Sequence, residues 1–287
     1  MTRIAYVNGR YLPQAEAGVH VEDRGFLFAD AVYEVCEVRE GALVEEARHL
    51  ARLERSLAEL GIARPMSRAA LAHVMRETIR RNRVRNGTCY LQVSRGTGPR
   101  DFLFPPPGVT PTLVCTARSI PPARMEAQAV RGIDVVSMPD IRWRRCDIKT
   151  VMLLPACLAK EAARHKGARE AWFVDADGFV TEGASSNAWI VTGAERVVTR
   201  QADERILAGV TRATIIDAIR SCGLALEERP FSLAEALAAR EAFVTSASNT
   251  VMPVVTIDGI QVADGRPGPV ATRLRSLFRH CAATSGR

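Results

Sequence analysis

Strand-like alternation gives way to helix-length apolar spacing twice along the chain, with a weakly patterned stretch between, and this order confines the fold to architectures that mix strands and helices. Residues 4–7 and 10–12 flank Asn8-Gly9, the two-residue turn of a β-hairpin. Val32-Tyr33-Glu34-Val35-Cys36-Glu37-Val38 then alternates at period two, Glu40-Gly41 turns, and Ala42-Leu43-Val44 returns. Helical patterns follow over 46–60, closed by Gly61, and over 67–84, with Ser67 as N-cap. Cys89-Tyr90-Leu91-Gln92-Val93 and Thr112-Leu113-Val114-Cys115 read as buried strands separated by the Gly/Pro-rich loop 96–111.

Between Ser119 and Gly132 the pattern weakens into Ile-Pro-Pro-Ala-Arg. Beyond it, strands are predicted at 133–136, 171–174, 188–191, 243–245 and 254–257, and helices over 155–166, 211–222 and 268–283. The expectation is an α+β or mixed α/β protein of two domains: a smaller N-terminal α/β domain over 1–119, an interdomain loop over 120–131, and a larger C-terminal mixed domain over 132–287. Such a junction is a common place for a ligand cleft.

Several function classes are disfavoured. No apolar run approaches the roughly 18 residues that a membrane span needs, and the opening MTRIAYVNGR reads as strand and turn without a signal-peptide core. A cytoplasmic protein without membrane contact is expected. Seven cysteines, widely spaced and without a CxxC pair, suggest reduced structural thiols and no metal site. A net charge of +7 is modest for this length. The densest basic cluster, Arg80-Arg81-Asn82-Arg83-Val84-Arg85, ends a predicted helix, where cations complement the dipole, so nucleic-acid binding is not expected.

Of the 39 basic residues only three are lysines, Lys149, Lys160 and Lys166. Arginine serves most surface and ion-pair roles but stays protonated, whereas a desolvated lysine can lose its proton and attack a carbonyl. Lys166 precedes the helix stop at Gly167, and Lys160 lies opposite a Leu154/Leu158/Ala162 stripe, which marks it as solvated. Lys149 ends an extended segment just before the apolar Val-Met-Leu-Leu run. From position alone it is either a surface residue at a junction or an amine facing a cleft.

Cys-Asp-Ile-Lys-Thr (146–150), Leu-Ala-Lys-Glu-Ala (158–162) and Val-Thr-Glu-Gly-Ala-Ser-Ser-Asn (180–187) together resemble the central signature of the fold-type IV (class IV) pyridoxal-phosphate-dependent aminotransferases. Glu22-Asp23-Arg24-Gly25-Phe26, Val32-Tyr33-Glu34-Val35, Arg95-Gly96-Thr97-Gly98-Pro99-Arg100 and Phe243-Val244-Thr245-Ser246 narrow the resemblance to the D-amino acid aminotransferases. The match runs in order along nearly the whole chain.

The resemblance implies a two-domain fold, pyridoxal 5'-phosphate as cofactor, and a homodimer whose subunits both shape each site. Lys149 would hold the cofactor as a Schiff base, the internal aldimine, and shuttle the substrate Cα proton. Glu182 would face the pyridine nitrogen. Phosphate donors would come from Arg52, from Val210 and Thr211 after Gly209 at a helix N-terminus, and from Ser246. Ala247 stands where the family pattern has Thr, so one side-chain hydrogen bond is lost and only its N–H remains. Leu207 would pack against the ring, while Tyr33 and Val35, with Glu37 on the same strand face, would line the substrate pocket.

The substrate-carboxylate loop departs from the family. D-amino acid aminotransferases present Arg-x-His there; this chain has Arg100-Asp101-Phe102, which keeps the arginine and replaces the histidine with an aromatic. The implied reaction moves the amino group of a D-amino acid such as D-alanine to 2-oxoglutarate. Its rivals on the same fold are a branched-chain L-amino acid aminotransferase, an (R)-selective amine transaminase and an aminodeoxychorismate lyase. A cofactor-binding module without catalysis, or a basic nucleic-acid-binding protein, would have no use for an imine-forming lysine.

Overall fold

The structure, a computed structural model, describes residues 3–282 and 284. The chain divides into two compact units. The first contains the residues up to Pro122 together with the five-residue segment Ile148–Met152; the second contains Ala123–Asp147 and Leu153–Ala282.

In the first unit the elements are β1 Ile4–Val7, β2 Arg10–Pro13, α1 Arg24–Phe28, β3 Ala31–Arg39, β4 Ala42–Leu43, α2 Glu46–Glu59, α3 Arg68–Arg81, β5 Gly87–Ser94 and β6 Thr112–Ser119. The six strands form one antiparallel sheet in the order β2-β1-β6-β5-β3-β4. Asn8 and Gly9 both have positive φ, 45° and 91°, which the tight β1–β2 turn requires. Helix α2 packs on β3 and α3 on β1, β5 and β6. Leu50, Leu53 and Leu57 recur at helical spacing on α2 and are all buried, as are Leu71, Met75 and Ile79 on α3. Ser67 caps α3, its Oγ accepting the Ala70 N–H at 3.2 Å.

In the second unit the elements are α4 Pro122–Arg131, β7 Ile133–Pro139, α5 Leu154–His165, β8 Glu170–Val174, β9 Val180–Gly183, β10 Asn187–Val191, β11 Val197–Thr199, α6 Val210–Ser221, β12 Leu226–Glu228, α7 Leu233–Leu237, β13 Glu241–Ser246, β14 Thr250–Ile257, β15 Ile260–Gln261 and α8 Pro269–Cys281. Its mixed sheet runs β12-β11-β10-β13-β14-β7-β8-β9, with β15 paired to β14. Trp172, Phe231, Ile190, Val198 and Met252 fill the core against it. Trp189 stacks on Phe243 at 5.5 Å and donates its indole N–H to Thr245 Oγ1 at 2.9 Å.

Three expectations need correction. Residues 120–131, expected as loop, carry helix α4. Pro122 suits the first helical position, where no amide partner is lost, and Met125 and Ala129 reach the core. On α5 the packed face is Ala159 and Ala163, whereas Leu154 and Leu158 are exposed. Lys160 is not simply solvated: its Nζ donates to the Arg169 carbonyl at 2.7 Å and to the buried Glu170 carboxylate at 3.1 Å. Lys166 is exposed and ends α5. The expected end of the last helix, Ala283, lies outside the described residues.

All seven cysteines are free thiols, and Cys89 Sγ lies 3.6 Å from Cys115 Sγ inside the first unit. Among the described residues no group of His, Cys, Asp and Glu could hold a metal ion, and no helix is long and apolar enough to cross a membrane.

Candidate active site

Lys149 is delivered to the first unit by a strand edge left open. Strand β5 pairs along one side of β3, while β4 covers only its last two residues, Val38 and Arg39. The other edge at the start of β3 is taken by 149–151. Tyr33 N–H donates to the Lys149 carbonyl at 3.0 Å, Val151 N–H donates to the Ala31 carbonyl at 3.1 Å, and Thr150 bridges Val32. The Lys149 amide also donates to Ser56 Oγ on α2 at 3.3 Å. With the backbone held at three points, the Lys149 Nζ lies 4.3 Å from the Tyr33 ring centroid, a cation–π distance. The Tyr33 ring lies 5.7 Å from that of Tyr90 on β5.

Alternation along β3 separates two chemistries. Tyr33, Val35 and Glu37 lie on a half-buried face, whereas Val32, Glu34, Cys36 and Val38 are buried beneath it. Glu34 is met there by two residues of α2: Arg52 donates Nε to Oε1 at 2.7 Å and Nη2 to Oε2 at 2.8 Å, and His49 Nδ1 lies 2.7 Å from Oε2. Burial pushes the Glu34 carboxyl up, but the Arg52 charge and the hydrogen bonds from Arg52 and His49 outweigh it and hold it at about 2. Burial, with the Arg52 and Lys149 charges, pushes His49 below its usual range against the pull of Glu34. His49 is therefore a neutral imidazole at pH 7, donating from Nδ1.

The second unit builds a different constellation around Glu182, the third residue of β9. Arg142 Nη1 donates to Glu182 Oε1 at 2.5 Å, Asn187 Nδ2 to Oε2 at 3.0 Å, and the Leu207 N–H to both oxygens at 3.2 Å. Arg142 also grips Asp140 through Nε and Nη2 and covers the Phe173 ring at 4.6 Å. Asn187 Nδ2 reaches the Leu207 carbonyl at 2.9 Å as well, so it joins Glu182 to the approach to α6. At that helix the N-cap is Gly209, with no side-chain cap. A Cβ on Gly209 would sit 2.1 Å from Asn187 Oδ1, so only glycine lets the two segments approach this closely. Register pairs Asn187 with Thr245, which brings the end of β13 and Ser246 alongside. Ser246 Oγ accepts the Asn249 N–H at 3.2 Å and lies 3.3 Å from Ser248 Oγ, while Ala247 adds no hydroxyl. Leu207 is half-buried, and Val210 and Thr211 are buried in the first turn. The nearby Cys146 thiol is pushed up to about 12 by burial, with Glu182 adding to the effect, and stays protonated as a bystander.

Arg100 and Phe102 stand on a loop of the first unit. Arg24 Nη1 donates to the carbonyls of Asp101 at 2.8 Å and Leu103 at 3.2 Å and thereby fixes the loop tip. Arg100 and Phe102 both approach Phe28, at 5.7 and 5.8 Å. Both of these ring contacts are with Phe28. Phe102 is 82% exposed. Asp101 Oδ1 accepts the Leu103 N–H at 3.1 Å, so its carboxylate is engaged in the turn of its own loop.

Four residues not singled out above belong to these constellations: Glu34, His49, Arg142 and Asn187. A glutamate on the apolar face of an alternating strand is a visible signal for Glu34, and Asn187 stands within the Ser-Ser-Asn run. Arg142 has no such signal, being one arginine among many.

Residues 31–257 match the family model described as amino-transferase class IV. The chain is 37% identical over 273 residues to the D-alanine aminotransferase of Bacillus licheniformis, covering 95% of each protein. Its fold is like that of the Escherichia coli branched-chain amino acid aminotransferase, with a TM-score of 0.88 at 24% identity over 98% of this chain and 94% of the other. It is similarly like a hypothetical aminotransferase from Mycobacterium tuberculosis solved in its PLP-bound form, with a TM-score of 0.84 at 22% identity over 97% of this chain and 98% of the other.

Proposed function

Since the chain belongs to the class IV aminotransferases, we propose that it moves the amino group of a D-amino acid such as D-alanine to 2-oxoglutarate, with pyridoxal 5'-phosphate as cofactor. The observation that carries the reading is the placement of Lys149: one of three lysines, on a segment that pairs with the start of β3, with its amine over Tyr33.

The residues present fit that cofactor. It needs an amine for its aldehyde, a carboxylate for its ring nitrogen and donors for its phosphate. Lys149 supplies the first. Glu182, 5% exposed and held by Arg142, Asn187 and Leu207, supplies the second. The first turn of α6, which no side chain caps and which Gly209 opens, would supply the third with Ser246 and the N–H of Ala247, and the family pattern adds the Arg52 guanidinium, which here pairs with Glu34. When bound, the cofactor supplies an electron-withdrawing ring that takes up the charge released as the substrate Cα–H bond breaks.

The protein's own groups do the rest. Lys149 Nζ takes the proton from Cα and returns one during transfer, since a neutral amine is a base and an ammonium an acid. Glu182, paired with the Arg142 guanidinium, would hold a proton at the ring nitrogen. Leu207 packs against the ring. Tyr33 and Val35 form one wall of the substrate pocket, and the Tyr33 ring orients the Lys149 amine. Arg100 binds the substrate carboxylate, and Phe102 makes that end of the pocket more apolar than an Arg-x-His loop would.

A homodimer belongs to the same reading, because exposed Phe102, Leu103 and Phe104 form an apolar loop tip that a second copy would cover. The free Cys89 and Cys115 thiols suit the reducing cytoplasm.

The test is a half-reaction screen. Protein reconstituted with pyridoxal phosphate is mixed separately with D-alanine, L-leucine and (R)-1-phenylethylamine, and loss of the bound cofactor's visible absorbance is followed. D-alanine reacts fastest on this account; a much faster reaction with L-leucine or the arylamine would replace it. Steady pyruvate release from aminodeoxychorismate without a keto-acid acceptor would mark a lyase instead.

A further inference from the structure

We propose that Glu170 is a positioning residue for the Glu182 site: it holds the turn between Glu182 and Asn187 in the form that lets those two side chains meet. The proposal rests on the reading of Glu182 as the partner of the cofactor ring.

Glu170 begins β8 and is 1% exposed, an unusual setting for a carboxylate. Its two oxygens have separate partners. Oε1 accepts the Lys160 ammonium of α5 at 3.1 Å and the Ala171 N–H of its own strand at 2.9 Å. Oε2 accepts the hydroxyls of Ser185 at 2.7 Å and Ser186 at 3.1 Å. One oxygen is anchored to the scaffold while the other grips the turn.

The turn has little else to define it. Gly183-Ala184-Ser185-Ser186 has no large side chain to bury, and Ser185 is exposed. Its backbone closes through Gly183 N–H to the Ser186 carbonyl at 2.7 Å, and Ala184 N–H reaches the Ala171 carbonyl at 2.8 Å. A Cβ on Gly183 would lie 2.3 Å from Ser186 Oγ and 3.4 Å from Glu170 Cγ, so the serine hydroxyl and the carboxylate stem occupy the space a side chain would need. Glu182 and Asn187 are the residues immediately before and after this turn, and their 3.0 Å hydrogen bond spans it.

A buried charge with this many donors is not an economical way to stabilise a fold, because apolar residues of similar volume do as well or better. It is a good way to specify one geometry. Glutamine at 170 can keep an oxygen toward the Lys160 ammonium and the Ala171 N–H only by turning its NH2 toward the serines, which reverses both hydroxyl hydrogen bonds and removes the charge that they now donate to.

The test compares the double variant Ser185→Ala with Ser186→Ala, Glu170→Gln and Glu182→Gln with the wild-type protein, all loaded with pyridoxal phosphate. Three quantities are read: the rate of cofactor release, the pH midpoint of the bound cofactor's absorbance, and the Tm of the cofactor-free protein. The double serine variant should release cofactor about tenfold faster, the loss of hydrogen bonds to a charged group. Its absorbance midpoint should move in the same direction as that of Glu182→Gln, with the cofactor-free Tm close to wild type. Ser185→Thr, which keeps a hydroxyl at an exposed position, should restore wild-type behaviour. If Glu170→Gln does not fold, the serine variants carry the test. A double serine variant that holds and titrates its cofactor like wild type, while Glu182→Gln is shifted, overturns the role of Glu170 alone. If Glu182→Gln is also unchanged, the underlying reading of Glu182 fails and takes this inference with it.

Discussion

Arg142 Nη1 lies 2.5 Å from Glu182 Oε1, and the same guanidinium holds Asp140 through its Nε and Nη2, so one half-buried cation serves two carboxylates. Arg142→Leu would leave both acids without their counter-ion. The expected loss is about 3 kcal/mol of stability, the scale for breaking a buried pair, together with weakened cofactor retention. Arg142→Lys keeps the charge but loses the planar fork and should recover only part of each. Urea denaturation and cofactor-release rates check both; wild-type values in Arg142→Leu would remove this pair from the account.

The Glu34–His49–Arg52 cluster makes acid stability testable. Glu34 is held at about 2, below the ordinary 4.5, so its contribution is present above about 4.5 and is lost as pH falls toward 2. His49 is pushed below 6.5, so protonation favours the unfolded chain once pH drops under about 6.5. Both effects have the same sign, and Tm should fall in two stages on acidification. His49→Asn, which keeps a donor for Glu34, should flatten the first stage while leaving the second. Parallel Tm curves for the two proteins between pH 7 and 5 would contradict the assignment.

Phe102 is exposed and its ring partner is Phe28, so changing it should disturb the fold little. On the proposed role of the loop, Phe102→His adds a donor beside Arg100 and should lower the KM for D-alanine about fivefold, equivalent to about 1 kcal/mol, with kcat nearly constant. Steady-state kinetics with D-alanine and D-glutamate measure this. An unchanged KM would mean that the carboxylate is held elsewhere.

The alternation of β3 was readable in advance, and with it the shared face of Tyr33, Val35 and Glu37. What alternation could not show is that the opposite, buried face carries an acid whose partners arrive from α2. That depends on tertiary packing of Arg52 and His49 at positions where a helix normally presents solvated charge. Elements of two to five residues, such as α1, β9, β11, β12 and α7, are too short to impose a period. The proline pair at the start of α4, of which Pro122 is the first helical residue, is ambiguous in sequence because proline both breaks helices and begins them. The Lys160 ion pair has no signal in helical phase, which places a residue relative to its own helix and not relative to the buried Glu170 on the neighbouring strand. The Lys149 motif was legible as chemistry; that its segment pairs with the edge of β3 follows from how little of that edge β4 covers.

The central claim is that Lys149, and neither of the other two lysines, bonds the cofactor. The direct measurement is borohydride reduction of the reconstituted protein followed by peptide mass mapping, alongside a D-alanine and 2-oxoglutarate assay of Lys149→Arg. The account predicts the pyridoxyl mass increment on Lys149 alone and, in Lys149→Arg, neither increment nor transamination. An increment on Lys160 or Lys166, or D-alanine turnover persisting in Lys149→Arg, would contradict it.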